Sequence, residues 1–170
     1  MRTVRLHGGP YLIGVRHDES NQCLQVTVRG EPSDEQLAEA DRLVRYMFST
    51  EVDLSEFYRH VAEDEYLAPL TKKFTGTRMV REPDLFESFV KTIISQQLNL
   101  TFAGTLTNRL IALAGDTLDI DGETWPVFPT PEQVAQLEYE QLRKLQFSRR
   151  KAEYMIDVAR KMACGGLELN

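Results

Sequence analysis

The chain has 170 residues, 42% hydrophobic and 27% charged, the proportions of a globular protein of one domain, or one domain and part of another. No apolar run approaches the roughly 18 residues that a membrane span requires, and "MRTVRLHGGPYLIGV" lacks the apolar core and cleavage-like site of a secretory signal. A net charge of −6 and a pI near 5.2 argue against a protein that coats nucleic acid by bulk charge. Cys23 and Cys164 lie far apart and match no metal spacing, so a reducing cytoplasm is the expected location.

The first thirty residues read as three short strands: Val4 and Leu6, then Leu12 to Val15, then Leu24, Val26 and Val28 alternating with polar residues. Gly8-Gly9-Pro10 and Asp18-Glu19-Ser20-Asn21 supply the turns. Ser33 and Gln36 form a capping box for a helix whose apolar face is Leu37, Ala40, Leu43, Val44, Met47 and Phe48. Short helical pieces are expected over Leu54–Val61 and Tyr66–Leu70, and a crossover from Lys72 to Pro83. Three strands and one helix leave one face of the sheet poorly covered.

From Asp84 the pattern is helical. The first helix is expected from Asp84 to about Gln97, with Leu85, Phe86, Phe89, Val90, Ile93 and Ile94 inward. Asn99 or Thr101 can cap the next, which buries Phe102, Leu106, Leu110, Ile111 and Leu113 and stops at Gly115. Residues 116–130 read as a polar loop holding Trp125. Thr130-Pro131-Glu132-Gln133 starts a further helix, followed by Val134, Leu137, Leu142 and Leu145 as apolar contacts. Ser148 opens the last helix, with Ala152, Met155, Ile156, Ala159, Met162 and Ala163 inward, and Gly165-Gly166 closes it. The fold class is α+β: a small antiparallel β unit with a helix over residues 1–80, then an all-α region over 81–170.

Two features stand out against this plan. The apolar stripe of the first helix calls for an apolar residue at position 97, and the chain supplies Gln96-Gln97. An unpartnered buried amide costs about 1–3 kcal/mol. The pair therefore sits at a solvated helix end, forms an internal hydrogen-bond network, or faces a polar ligand such as a base edge. The second feature is Arg149-Arg150-Lys151 in the first turn of the last helix, where the peptide dipoles already make a positive end and each exposed cation costs about 0.3–1 kcal/mol. A solvated face explains this cluster; a nearby phosphate would make it favourable.

The runs "PDLFESFVKTIISQQLNLTFAGTLTNRLIALAG", "FPTPEQVAQL" and "LRKLQFSRRKAEYMIDVARKMACGGLELN", in this order and spacing, closely resemble the bacterial 3-methyladenine DNA glycosylase II branch of the helix-hairpin-helix base-excision glycosylases. "LVRYMFSTEVDLSEFY" resembles the end of that branch's small β-rich N-terminal domain. The resemblance implies extrusion of a damaged purine from duplex DNA and hydrolysis of its N-glycosidic bond. It implies that Gln97 occupies the inserting wedge position, with Gln96 beside it and Asn99 capping the next helix near the backbone. Arg149, Arg150 and Lys151 then meet phosphate. The wedge of the best-known relative is apolar, so insertion of an amide departs from the pattern.

The family's chemistry also uses a Gly-rich hairpin and a downstream Asp, and no residue here matches either; Asp157 lies within the last helix, and Asp116, Asp119 and Asp121 lie in a loop. The resemblance thus implies an incomplete piece, with no catalytic residue in these 170, at most weak DNA binding and no base excision alone. Its partner would be double-stranded DNA with alkylated bases, bound by a monomer in the bacterial cytoplasm. No metal, nucleotide or flavin signature is present, and hydrolytic base removal needs none. The alternative is a non-catalytic DNA-binding or protein-interaction module on the same scaffold.

Overall fold

A computed structural model describes residues 1–167; Glu168–Asn170, the end of the "GGLELN" run, lie outside the described residues. Alternating side chains build an antiparallel sheet of β1 (Arg2–Leu6), β2 (Gly9–Asp18) and β3 (Cys23–Arg29), with β2 central. Ile13 stands opposite Arg2 and Val28, and Val15 opposite Val26. These residues share a face with Val4 and Leu6, because successive side chains alternate across a strand. That face packs on α1 (Asp34–Met47) through Ala40 and Val44. The Ser33–Gln36 capping box forms, and Gln36 Nε2 also donates to the His7 carbonyl at 2.8 Å, tying the helix start to the β1–β2 turn.

The opposite face is covered, contrary to expectation. Residues 116–130 are not a loop: β4 (Thr117–Ile120) and β5 (Glu123–Pro126) pair antiparallel. Asp121 and Gly122 between them have φ of 54° and 79°, the pair of left-handed residues that a two-residue hairpin turn requires. The hairpin lies against the sheet. Thr3 Oγ1 donates to the Pro126 carbonyl at 2.6 Å, and Arg5 and Arg29 pair with Asp116 and Asp121 at 2.7 and 3.1 Å. Leu12, on the same face as Thr3 and Arg29, is fully buried.

After α1, α2 (Ser55–Val61) and α3 (Leu67–Lys73) lead to the crossover. Arg78 donates to the carbonyls of Ser49 and Val52, and Arg81 N to that of Met47, holding the crossover against the end of α1. The second core is built by α4 (Leu85–Ser95), α5 (Leu100–Ala114), α6 (Pro131–Ala135), α7 (Tyr139–Lys144) and α8 (Arg149–Ala163). Helix α8 touches α4, α6 and α7 and buries Ala152, Met155, Ile156 and Ala159, where two alanines allow close approach. Among the described residues, no helix is long and apolar enough to cross a membrane.

Several residues expected inward are not. Leu85 and Phe89 are exposed, one position off the Phe86–Val90–Ile93–Ile94 stripe that meets α5 and α8; Leu113 and Ala163 are exposed as well, and Phe102, Ile111 and Met162 are half-buried. In their place α4 buries a charge: the Glu87 side chain is 4% exposed. It accepts from Arg2 Nη2 and Lys91 Nζ, each at 2.7 Å, while Glu82 bonds the same two cations at 3.2 and 2.9 Å. This four-membered cluster fastens the first strand to the helical region, because a carboxylate so shielded from water must be paired.

Two outcomes are expected. Gly115 follows α5 with an ordinary φ, yet a Cβ there would lie 2.3 Å from the Val127 carbonyl and 2.7 Å from that of Ile111. Gly115→Ala should cost roughly 2–3 kcal/mol in urea unfolding, through overpacking against backbone. For Glu82, burial opposes ionisation, but the hydrogen bonds and charges of Lys91 and Arg2 prevail and hold its pKa below the ordinary 4.5. A carboxylate depressed by folding stabilises the fold above its unfolded pKa, and that contribution is lost as pH falls through the folded value. Stability measured below pH 4.5 should decline, and Glu82→Gln should flatten the decline.

Candidate nucleic-acid interface

Helix α4 starts at Asp84, whose side chain accepts from Glu87 N at 2.7 Å, and its last residue is Ser95. Gln96 leaves the helix at φ −52°, ψ 124°, Gln97 has φ +57°, and Leu98 N donates back to the Ser95 carbonyl at 3.1 Å. These are the marks of a type II turn with Gln96 and Gln97 at its two corners. The second corner favours glycine, since a left-handed φ crowds a Cβ. Both glutamines are exposed, and neither side chain makes a hydrogen bond among the described residues. The internal-network reading of the pair therefore falls away. Asn99 then caps α5, accepting from Phe102 N at 2.8 Å; Thr101 does not.

The start of α8 faces this turn. Ser148 Oγ accepts from Lys151 N, and the Lys151 ammonium donates to the carbonyls of Ile94 at 2.5 Å and Gln96 at 2.7 Å. Burial pushes the Lys151 pKa down; the two carbonyls, at the negative end of α4, favour its charge. Arg149 turns to the other side of α8 and pairs with Glu153 at 2.9 Å, a hydrogen bond that raises its pKa. Arg150 makes no ion pair among the described residues and is exposed.

The structure thus gathers Gln96, Gln97, Arg150 and Lys151, with Ser148 and Tyr154, around a depression of about 350 Å3. Arg149 lines a neighbouring hollow with Tyr139 and Arg160 instead. Tyr154 was not singled out in the sequence. The residue is 54% exposed, which makes its ring available for stacking. The signal was available: Tyr154 lies three and four residues beyond Lys151 and Arg150, outside the buried stripe of α8. Among the described residues, no carboxylate lines the depression.

A larger cleft of about 440 Å3 separates β1 from the start of α4 and the segment around Val127–Pro131. Its charged groups are committed to the fold. Arg5 pairs with Asp116, Asp84 caps α4, and Glu87 holds Arg2 and Lys91.

Comparison with known proteins agrees with this architecture. Residues 4–89 match the family described as 8-oxoguanine DNA glycosylase, N-terminal domain, and residues 90–168 match the HhH-GPD superfamily base excision DNA repair protein. The chain belongs to the HhH-GPD, or helix-hairpin-helix, superfamily of base-excision DNA repair glycosylases. It is 35% identical over 130 residues to a DNA-3-methyladenine glycosylase of Bacillus subtilis (strain 168), covering 75% of this chain and 43% of that protein. A putative DNA-3-methyladenine glycosylase of the same organism, YfjP, is 39% identical over 127 residues, covering 75% of this chain and 42% of the relative. The chain therefore spans about two fifths of the length of these curated relatives. A solved 3-methyladenine DNA-glycosylase from Archaeoglobus fulgidus superimposes with a TM-score of 0.77 at 26% identity, over 93% of this chain and 54% of that one. An 8-oxoguanine glycosylase/lyase of Clostridium acetobutylicum, at 20% identity and a TM-score of 0.72, shares the fold.

Because Gln97 holds a conformation suited to glycine, Gln97→Gly should unfold at no lower temperature than the wild type and gain up to about 1 kcal/mol. A drop in melting temperature would show that the glutamine side chain braces the fold.

Proposed function

We propose that this chain forms the DNA-facing part of a base-excision glycosylase for alkylated purines of the 3-methyladenine type, acting by base extrusion and N-glycosidic hydrolysis. In this reading residues 1–80 are the β-rich N-terminal domain and 81–170 the first part of the helical domain, and the hairpin and catalytic Asp lie outside these 170 residues. The observation that carries it is the type II turn with an exposed glutamine at its glycine position. An amide carried outward on this turn, beside a guanidinium without an ion pair among the described residues, can enter the space left by an extruded base and bond the edge of the unpaired one.

Gln97 is the inserting residue and Gln96 supports it; Arg150 meets a phosphate beside the gap. Asn99 acts by capping α5 against the backbone. Arg149, paired with Glu153 on an exposed surface, can exchange that partner for a phosphate, since such pairs are worth little. Tyr154 offers a ring to an unstacked base. The match of residues 4–89 to an 8-oxoguanine glycosylase domain favours a second substrate, an oxidised purine, on the same site. The protein acts as a monomer on DNA in the bacterial cytoplasm.

Fluorescence anisotropy tests the reading with a duplex carrying a tetrahydrofuran abasic analogue and an intact duplex of the same sequence. The chain should prefer the former, and log affinity should fall linearly with log salt. Equal affinity for both, or none, would sink the DNA-facing role. The same chain should release no free 3-methyladenine from alkylated duplex, and release would refute the assignment of the chemistry to residues outside it. Tighter binding of an 8-oxoguanine duplex than of an alkylated one would favour the second substrate.

A further inference from the structure

The two carbonyls that Lys151 binds are not equivalent. Ile94 O belongs to the last turn of α4, where carbonyls lack partners within the helix. Gln96 O belongs to the central peptide of the turn. Type I and type II turns differ chiefly by a flip of that central peptide. In the type I form the residue at the second corner takes a negative φ that any amino acid adopts, and glutamine would be at ease there. The observed form has Gln97 at φ +57°. The Gln96 carbonyl lies 2.7 Å from the Lys151 ammonium, which at the same time holds Ile94 O at 2.5 Å.

We infer that Lys151 is a positioning residue that selects the type II form, and that DNA recognition requires it for the aim it gives Gln97 rather than for charge lent to a phosphate. Its ammonium reaches from the first turn of α8, on a helix fixed by the buried side chains of Ala152 and Met155. The turn is thus referenced to the middle of the helical core, and the glutamine is held in the conformation that it would otherwise leave. Arg150, one residue earlier and without an ion pair among the described residues, remains the phosphate ligand. The inference rests on the proposed DNA-facing role for its meaning, but its structural half is independent of DNA.

Two measurements on the full chain separate these halves. In a type II turn the Hα of the first corner lies close to the amide proton of the second, and in type I it does not. Wild type should show a strong Gln96 Hα–Gln97 HN NOE, and Lys151→Met should lose it. A retained NOE in the variant overturns the inference whatever happens with DNA. Lys151→Gln, which keeps an N–H donor without the charge, serves if the methionine variant does not fold, and should weaken the same NOE.

On the abasic-analogue and intact duplexes, Lys151→Met should abolish most of the preference between them while leaving the salt slope unchanged. It should add little to Gln97→Ala in the double variant. Equal weakening on both duplexes, with the slope reduced by about 0.9 as for one lost phosphate contact, would make Lys151 a phosphate ligand and overturn the inference, as would a preference that survives the loss of the NOE. If the wild type itself shows no preference, the proposed function fails, while the NOE still judges Lys151.

Discussion

The end of a helix leaves carbonyls without partners within it, and α4 ends where the last helix begins. Lys151 satisfies two of those acceptors with one ammonium. The arrangement is favourable from α4's side, since a cation belongs at the negative end of a helix, and unfavourable from α8's side, since its first turn is the positive end. The two helices meet with opposite dipole ends together, so the α4 terminus compensates what the α8 terminus opposes. The cation cluster that looked costly on one helix is thereby distributed. Lys151 is taken by carbonyls and Arg149 by Glu153, leaving Arg150 directed at solvent.

The same logic, in which one segment's unsatisfied groups are met by a distant one, runs through the rest of the fold. The sheet of the first thirty residues has α1 on one face, and its other face is closed by a hairpin from nearly a hundred residues further on, with Arg29 reaching Asp121. Glu87 is buried on α4 because Arg2 arrives from the first strand and Lys91 from the next turn of the helix. The Arg29–Asp121 and Arg2–Glu87 links join the β unit to the region beyond residue 80. Together with the packing of α8 against α4, they fix the frame in which the Gln96–Gln97 turn points outward.

How much of this was legible depended on the range of the interaction. Caps act over three residues, and Ser33, Asn99, Thr130 and Ser148 all cap as their sequences indicate. The strands of the first sheet and the limits of α8 were equally readable from periodicity. The hairpin of β4 and β5 was missed because strands of four residues show too little alternation, although Asp121-Gly122 between Ile120 and Trp125 carries the turn chemistry. The exposure of Leu85 and Phe89 was not legible, since an apolar stripe shows that a helix has a buried face but not how wide the neighbouring helices make it. For Lys151 the sequence offers a solvated face or a phosphate contact, and not a contact with carbonyls. Its partners lie 57 and 55 residues away, and nothing local distinguishes an ammonium that will meet carbonyls from one that will meet a phosphate.

In the proposed role the candidate site works through shape more than charge. A protein of net charge −6 has little long-range attraction for DNA as a whole, and the cations near the depression are mostly committed within the fold. What it presents is a turn carrying two amides, beside one guanidinium and one phenol ring on α8. Such a surface gains little from an intact helix, where bases are stacked and their edges paired. It gains more where a base is missing or displaced, because an unpaired partner and an open gap can then be met by an amide and a ring. Ser49 and Asp121 are also left-handed, and their side chains bond the Met79 carbonyl and Arg29. At Gln97 the same backbone conformation carries an exposed side chain that makes no hydrogen bond among the described residues, and the turn beneath it is held by the Lys151 ammonium on the Gln96 carbonyl.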